Sequence, residues 1–157
     1  MTTLPIDWQL LWGSSAKIVA AYVLTLPMAW SREREMHAVG IRTFPIVAMA
    51  SCGYLLVFQG VPGLDGQTMN SHVLQGLIAG IGFVGGGAIV KDGTSVHGTA
   101  TAASIWNTGA IGAAVALGRY EVALVLAVLN FFTLQALVPI KKRLDMPDPG
   151  DVERFRN

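Results

Sequence analysis

Residues 73–90 read VLQGLIAGIGFVGGGAIV and carry no charged side chain. A run of this length matches the roughly 20 helical residues that cross about 30 Å of bilayer hydrocarbon. Within it, Gly76/Gly80 and Gly82/Gly86 stand four residues apart, the spacing that lets helix backbones touch inside a membrane. Three successive glycines follow, Gly85, Gly86 and Gly87, and each weakens a helix by about 1 kcal/mol relative to alanine. The stretch therefore reads either as a closely packed membrane helix or as a broken one whose freed backbone groups line a polar cavity.

Four more apolar stretches flank it, at about 10–30, 43–59, 99–117 and 122–138. Trp8 and Trp12 stand at the entry of the first as an interfacial belt, Pro45 suits a first turn, and Pro139 is expected to end the last. No segment alternates polar and apolar residues as a membrane barrel requires. The expected fold is an all-α integral membrane protein: five transmembrane helices within residues 1–140, then a short polar tail, 141–157. Composition agrees. Of 157 residues 52% are hydrophobic and 13% charged, mean hydropathy is +0.51, and soluble domains carry about 25% charge. A net charge of +1 argues against a general nucleic-acid binder. The single Cys52 supplies no internal disulfide and no CxxC site, and reads as a packing residue.

The loops fix an expected orientation. Arg32, Arg34 and Arg42 lie between the first two stretches, Lys91 between the third and fourth, and Lys141, Lys142, Arg143, Arg154 and Arg156 after the fifth. The other side holds Arg119, and Lys17 falls inside the first stretch. The positive-inside rule then puts the N-terminus outside and the C-terminus in the cytoplasm of a multi-pass membrane protein. The leader carries Asp7 and no Lys or Arg, unlike a cleaved signal peptide.

This topology gathers polar residues at the cytoplasmic face: Glu33, Arg34 and Glu35, then Arg42 and Thr43, then Asp92, His97 and Thr99. The cluster is either a functional surface or a set of orienting charges. Glu33, Glu35 and Asp92 are the candidate oxygen ligands for Mg2+. The N-terminal ends of the second and fourth helices, beside Arg42 and Thr99, suit a phosphate-bearing anion. Inside the expected bilayer lie Gln75, Thr101, Ser104, Asn107 and Thr108, read as interhelical hydrogen bonds or as a cavity lining. Gly109 and Gly112 join the third-stretch glycines as packing positions. Lys17 is expected to reach the interface marked by Trp12. Asn130 and Gln135 are expected to bond to a neighbouring helix or subunit, and His72 and His97 fall on opposite sides. Small-residue faces serve a homodimer or packing within one chain equally. No Ser/His/Asp arrangement, metal-ligand spacing or Walker-type loop is present, so an enzyme is not expected.

Together the segments resemble the MgtC/SapB family of bacterial inner-membrane proteins. The matching text is Glu33-Arg34-Glu35, Gly40-Ile41-Arg42-Thr43, Leu74-Gln75-Gly76, the run from Gly80 to Ile89, the run from Gly98 to Trp106, Gly109-Ala110-Ile111-Gly112 and Gly118-Arg119-Tyr120. The pattern departs from the family at His72 and His97, where arginine is usual, at Gly85-Gly86-Gly87, where Gly-Ala-Gly is usual, and at Thr99-Ala100, where Leu-Thr is usual. A titratable imidazole cannot serve a role that needs permanent charge. The resemblance implies a short member without the C-terminal cytoplasmic domain of longer ones. It implies adaptation to low Mg2+, survival of some pathogens inside host cells, and regulation of membrane energetics through partners such as the ATP synthase. Mg2+ is the one ion it suggests as ligand or cargo.

Overall fold

The computed structural model describes residues 7–36, 40–59, 66–93 and 95–144, leaving out the side chains of 33–36, 66–67, 69–70, 92, 95 and 136–144. Its elements run α1 (Trp8–Met36), α2 (Thr43–Phe58), α3 (Gly66–Gly87), β1 (Val90–Asp92), β2 (Ser95–His97), α4 (Thr99–Ala116) and α5 (Tyr120–Leu144). Each of the five apolar stretches is thus a helix, three of them longer than expected. α1 extends past both ends of 10–30, α3 starts ahead of Val73, and α5 continues past Pro139 to Leu144. By length and composition, Trp8–Arg32 suffices to cross a membrane, whereas the apolar stretches Thr43–Phe58 and Tyr120–Gln135 are shorter. Glycines, hydroxyls and amides dilute α3 and α4.

Small side chains decide which helix sits at the centre. α4 is buried without interruption from Ile111 to Ala116, and Thr101, Ser104, Ile105 and Thr108 are buried before it. α1, α2, α3 and α5 all pack on it. The closest approach is to α2. A Cβ at Gly112 would run into the Ala48 carbonyl oxygen, and one at Gly109 would collide with the Ile81 side chain. Phe44, Leu55, Met28 and Ile105 are among the largest fully buried side chains of the core.

The glycines of α3 play a different part from the one their spacing suggests. Gly85 alone packs closely, its added Cβ falling 3.2 Å from the Ala102 carbonyl oxygen. A Cβ at Gly76, Gly80, Gly82, Gly86 or Gly87 would meet nothing within 4 Å, and Gly76 and Gly80 border an apolar groove of about 450 Å³ between α3 and α2. The triple glycine ends the helix rather than breaking it: Ala88 N–H donates to the Gly85 carbonyl at 3.0 Å and Ile89 N–H to Gly86 at 3.1 Å.

Between α3 and α4 lies an antiparallel two-stranded ribbon that departs from the all-helical expectation. Val90 pairs with His97, Lys91 with Val96 and Asp92 with Ser95. Its base closes at Gly98, which has φ +84° and lies so near the Ala88 carbonyl that no side chain fits there.

At the opposite end of the bundle, α4 stops in a Schellman turn. Arg119 N–H donates to the Ala114 carbonyl at 2.8 Å and Gly118 N–H to Val115 at 3.1 Å, with Gly118 at φ +74°. Arg119 Nε then meets Glu121 Oε1 at 2.5 Å. This hydrogen bond holds the Glu121 carboxyl below its ordinary value and pushes Arg119 up. A lowered carboxyl stabilises the fold near neutrality and loses that contribution as pH falls through the lowered value.

Two outcomes follow for unfolding in detergent. Gly112→Ala lowers stability by about 1–3 kcal/mol, because two backbones must separate, whereas Gly76→Ala leaves it unchanged or raises it by up to about 1 kcal/mol. Glu121→Gln leaves the unfolding temperature at pH 7 nearly unchanged, because its side chain and that of Arg119 are 63% and 66% exposed.

Candidate functional site

On α1, Ala21, Thr25, Met28 and Arg32 recur at steps of four, three and four residues, and all four are buried. A helical stripe facing the core therefore terminates in a guanidinium only 7% exposed. Burial of a charge demands hydrogen-bond partners. Arg32 Nε and Nη2 donate to Thr101 Oγ1 at 3.2 and 2.9 Å, in the first turn of α4.

The other end of the α1–α4 seam is also held by a basic residue. The Schellman turn satisfies the Ala114 and Val115 carbonyls, and Leu117 N–H reaches Ala113 at 3.1 Å. The Ala116 carbonyl accepts from side chains instead: Lys17 Nζ at 2.9 Å and Gln59 Nε2 at 3.1 Å. A cation at a helix C-terminus also opposes the negative end of its dipole. Lys17 thus anchors to the end of α4 while lining, with Gln9 and Leu10, the end of α1 where Trp12 stands.

Between these ends the polar side chains are joined to one another across helices. Ser104 Oγ donates to Asn130 Oδ1 at 3.2 Å, and Asn130 Nδ2 donates to Met28 Sδ at 2.9 Å. Thr108 Oγ1 turns back to the Ser104 carbonyl at 2.7 Å, and Asn107 Nδ2 reaches the Leu126 carbonyl at 3.3 Å. Of the five residues expected inside the bilayer, Thr101, Ser104, Asn107 and Thr108 are therefore engaged in hydrogen bonds, while Gln75 is exposed on α3. Gln135 is exposed on α5, and Cys52 is fully buried on α2.

The expected cytoplasmic cluster is brought together only in part. Arg42 is exposed at the N-cap of α2, Thr43 is half-buried, and His97 and Thr99 are exposed at the ribbon and the start of α4. The side chains of Glu33, Arg34, Glu35 and Asp92, the proposed Mg2+ ligands among them, lie outside the described residues. Among the described residues no group of three His, Cys, Asp or Glu side chains is placed to hold a metal ion. Neither α2 nor α4 has a side-chain hydrogen bond at its N-cap. Sequence reasoning assigned Arg32 to orientation alone and passed over Met28. The periodic stripe ending at Arg32 was the signal that identifies both.

A model described as the MgtC family matches residues 18–143. The chain belongs to the MgtC family. It is 31% identical to Protein SrpB of Synechococcus elongatus, over 87% of this chain and 78% of that protein. It is 27% identical to Putative magnesium transporter YhiD of Escherichia coli K12, over 82% of this chain and 62% of the relative. It is 28% identical to Protein MgtC of Brucella abortus, over 88% of this chain and 57% of the relative. The match thus spans less than two thirds of the YhiD and MgtC relatives. No solved structure matches. MgtC-family homologues are membrane proteins, and the apolar α1 helix accords with that. None of the three names denotes an enzyme.

The Arg32–Thr101 contact should carry measurable stability. Thr101→Val removes the acceptor at nearly constant shape and costs about 1–3 kcal/mol, while Thr101→Ser keeps most of it. A double-mutant cycle with Arg32→Met in detergent unfolding reads the coupling directly.

Proposed function

We propose that this MgtC-family chain is a multi-pass inner-membrane protein with five spans, its N-terminus outside and its C-terminus cytoplasmic. In this reading it serves adaptation to low Mg2+ as a non-enzymatic regulator of ion balance and membrane energetics, acting on a membrane partner such as the ATP synthase. The names of its relatives support the link to magnesium.

One observation favours a regulator over a conduit: the seam between α1 and α4 carries a basic side chain at each end, Lys17 and Arg32. The one hydrogen bond from Lys17 goes to a neutral carbonyl. A divalent cation 6 Å from that ammonium is repelled by about 5 kcal/mol at an effective dielectric constant of about 20. Repulsion of that size slows passage by about three to four orders of magnitude. The polar groups between the two ends are spent on holding helices together. A second reading, a phosphate-bearing anion at the ribbon end, is favoured by the N-caps of α2 and α4, which lack side-chain bonds, and by the Arg32 guanidinium of α1 held against Thr101 in the first turn of α4.

The purified chain in liposomes is expected to pass Mg2+ no faster than empty liposomes. In cells lacking the gene it should restore growth at low Mg2+, while Arg32→Ala at normal membrane levels should not. Mg2+ flux that Glu33→Ala/Asp92→Ala abolishes would overturn the regulator reading in favour of transport.

A further inference from the structure

The first turns of α1 stand away from the end of α2 and enclose a polar funnel of about 350 Å³. Asp7, Gln9, Gly13, Ser14, Lys17 and Gln59 line it, with Leu10 and Leu56 as apolar walls. Two of these side chains, Lys17 and Gln59, already donate to Ala116. An ammonium carries three donors and a primary amide two, so both retain N–H groups beyond that carbonyl, and the Ser14 hydroxyl adds another.

The charge balance is equally specific. Asp7 is committed to α1 itself, its Oδ1 accepting from the Gln9 and Leu10 N–H groups at 2.9 and 3.2 Å. Lys17 rests on a neutral carbonyl, where the end of the α4 dipole offsets only about half a charge. The funnel therefore combines one cation resting on a neutral acceptor with several donors, the combination that holds phosphate oxygens, while its one carboxylate, Asp7, is turned to the backbone N–H groups of α1. Trp8 and Trp12, 64% and 73% exposed, and Leu10 and Leu11 stand on the same turns of α1. Indoles and leucines at this level match the boundary between headgroups and acyl chains.

We propose that the Lys17 funnel is a binding site for a phosphate-bearing headgroup. Lys17, Gln59 and Ser14 hold the phosphate, and the apolar surface of α1 receives the rest of a phospholipid. The site lies at the opposite end of the bundle from Arg32 and does not depend on the role proposed for magnesium.

The test uses the full chain, delipidated in detergent and titrated with phosphatidylglycerol, with diacylglycerol as its phosphate-free counterpart, read by native mass spectrometry. Wild type is expected to retain one phosphatidylglycerol at concentrations where diacylglycerol does not bind. Gly13→Leu fills the funnel from a position where an added Cβ meets nothing within 4 Å. It should weaken retention at least tenfold while the unfolding temperature holds or rises. Lys17→Met should weaken retention similarly and Lys17→Arg should keep it. Competition by millimolar inorganic phosphate would make free phosphate the source of the ligand, and its failure to compete would make the lipid the source. Undiminished retention by folded Gly13→Leu, or equal retention of diacylglycerol, would overturn the proposal.

Discussion

The antiparallel seam between α1 and α4 is pinned at both ends by cations donating to oxygens, and the rest of the bundle is arranged around it. Lys17 and Arg32 are as far apart along α1 as their partners, Ala116 and Thr101, are along α4. Such matching fixes register as well as proximity. In lipid this matters more than in water, because acyl chains solvate leucine as well as a protein core does. Association must then come from close packing and hydrogen bonds. The Gly112–Ala48 crossing supplies the packing, and the Arg32, Lys17 and Asn130 contacts supply the hydrogen bonds.

The Lys17 pin meets a neutral carbonyl oxygen rather than a carboxylate. A neutral acceptor satisfies the donor without cancelling the charge, so the site keeps a positive potential. That separates structure from function within one residue. The same Lys17 that completes the end of α4 is positioned to attract an anion into the funnel beside it.

Much of this was legible in the sequence, and the failures are instructive. Five apolar runs became five helices because nothing but their hydrophobic length was needed to find them. The serine, threonine and asparagine residues of α4 were read as interhelical glue or as a cavity lining; Ser104 and Asn107 bond to α5, and Thr108 turns back to its own helix. Glycine spacing misled, since Gly76 and Gly80 share a spacing with packed glycines but face a groove. Spacing reports which residues share a face, not what lies opposite. Gly109 and Gly112 matter because α2 and α3 cross them, a tertiary fact. The ribbon was missed although Asp92-Gly93-Thr94-Ser95 between Val90 and Val96 is a turn signal, because three-residue strands give too short a pattern to read. Arg32 was hidden by its neighbours: beside Glu33, Arg34 and Glu35 it looked like one more interfacial charge. Only its place on the buried stripe distinguishes it.

The length of the seam has a further consequence in the five-span arrangement proposed above. From Lys17 to Arg32, α1 rises about 22 Å at about 1.5 Å per residue, short of the roughly 30 Å of a bilayer core. α2, with 16 residues, is similarly short. Lipid around these helices must thin, or the turns of α1 beyond Lys17 must make up the difference. α1 does extend, through Trp12 to Trp8, while α2 ends at Phe58 and α4 at Ala116. The funnel is the space left where one helix continues and its neighbours stop. Its depth follows from the mismatch, and its chemistry from the residue that pins the seam at that level.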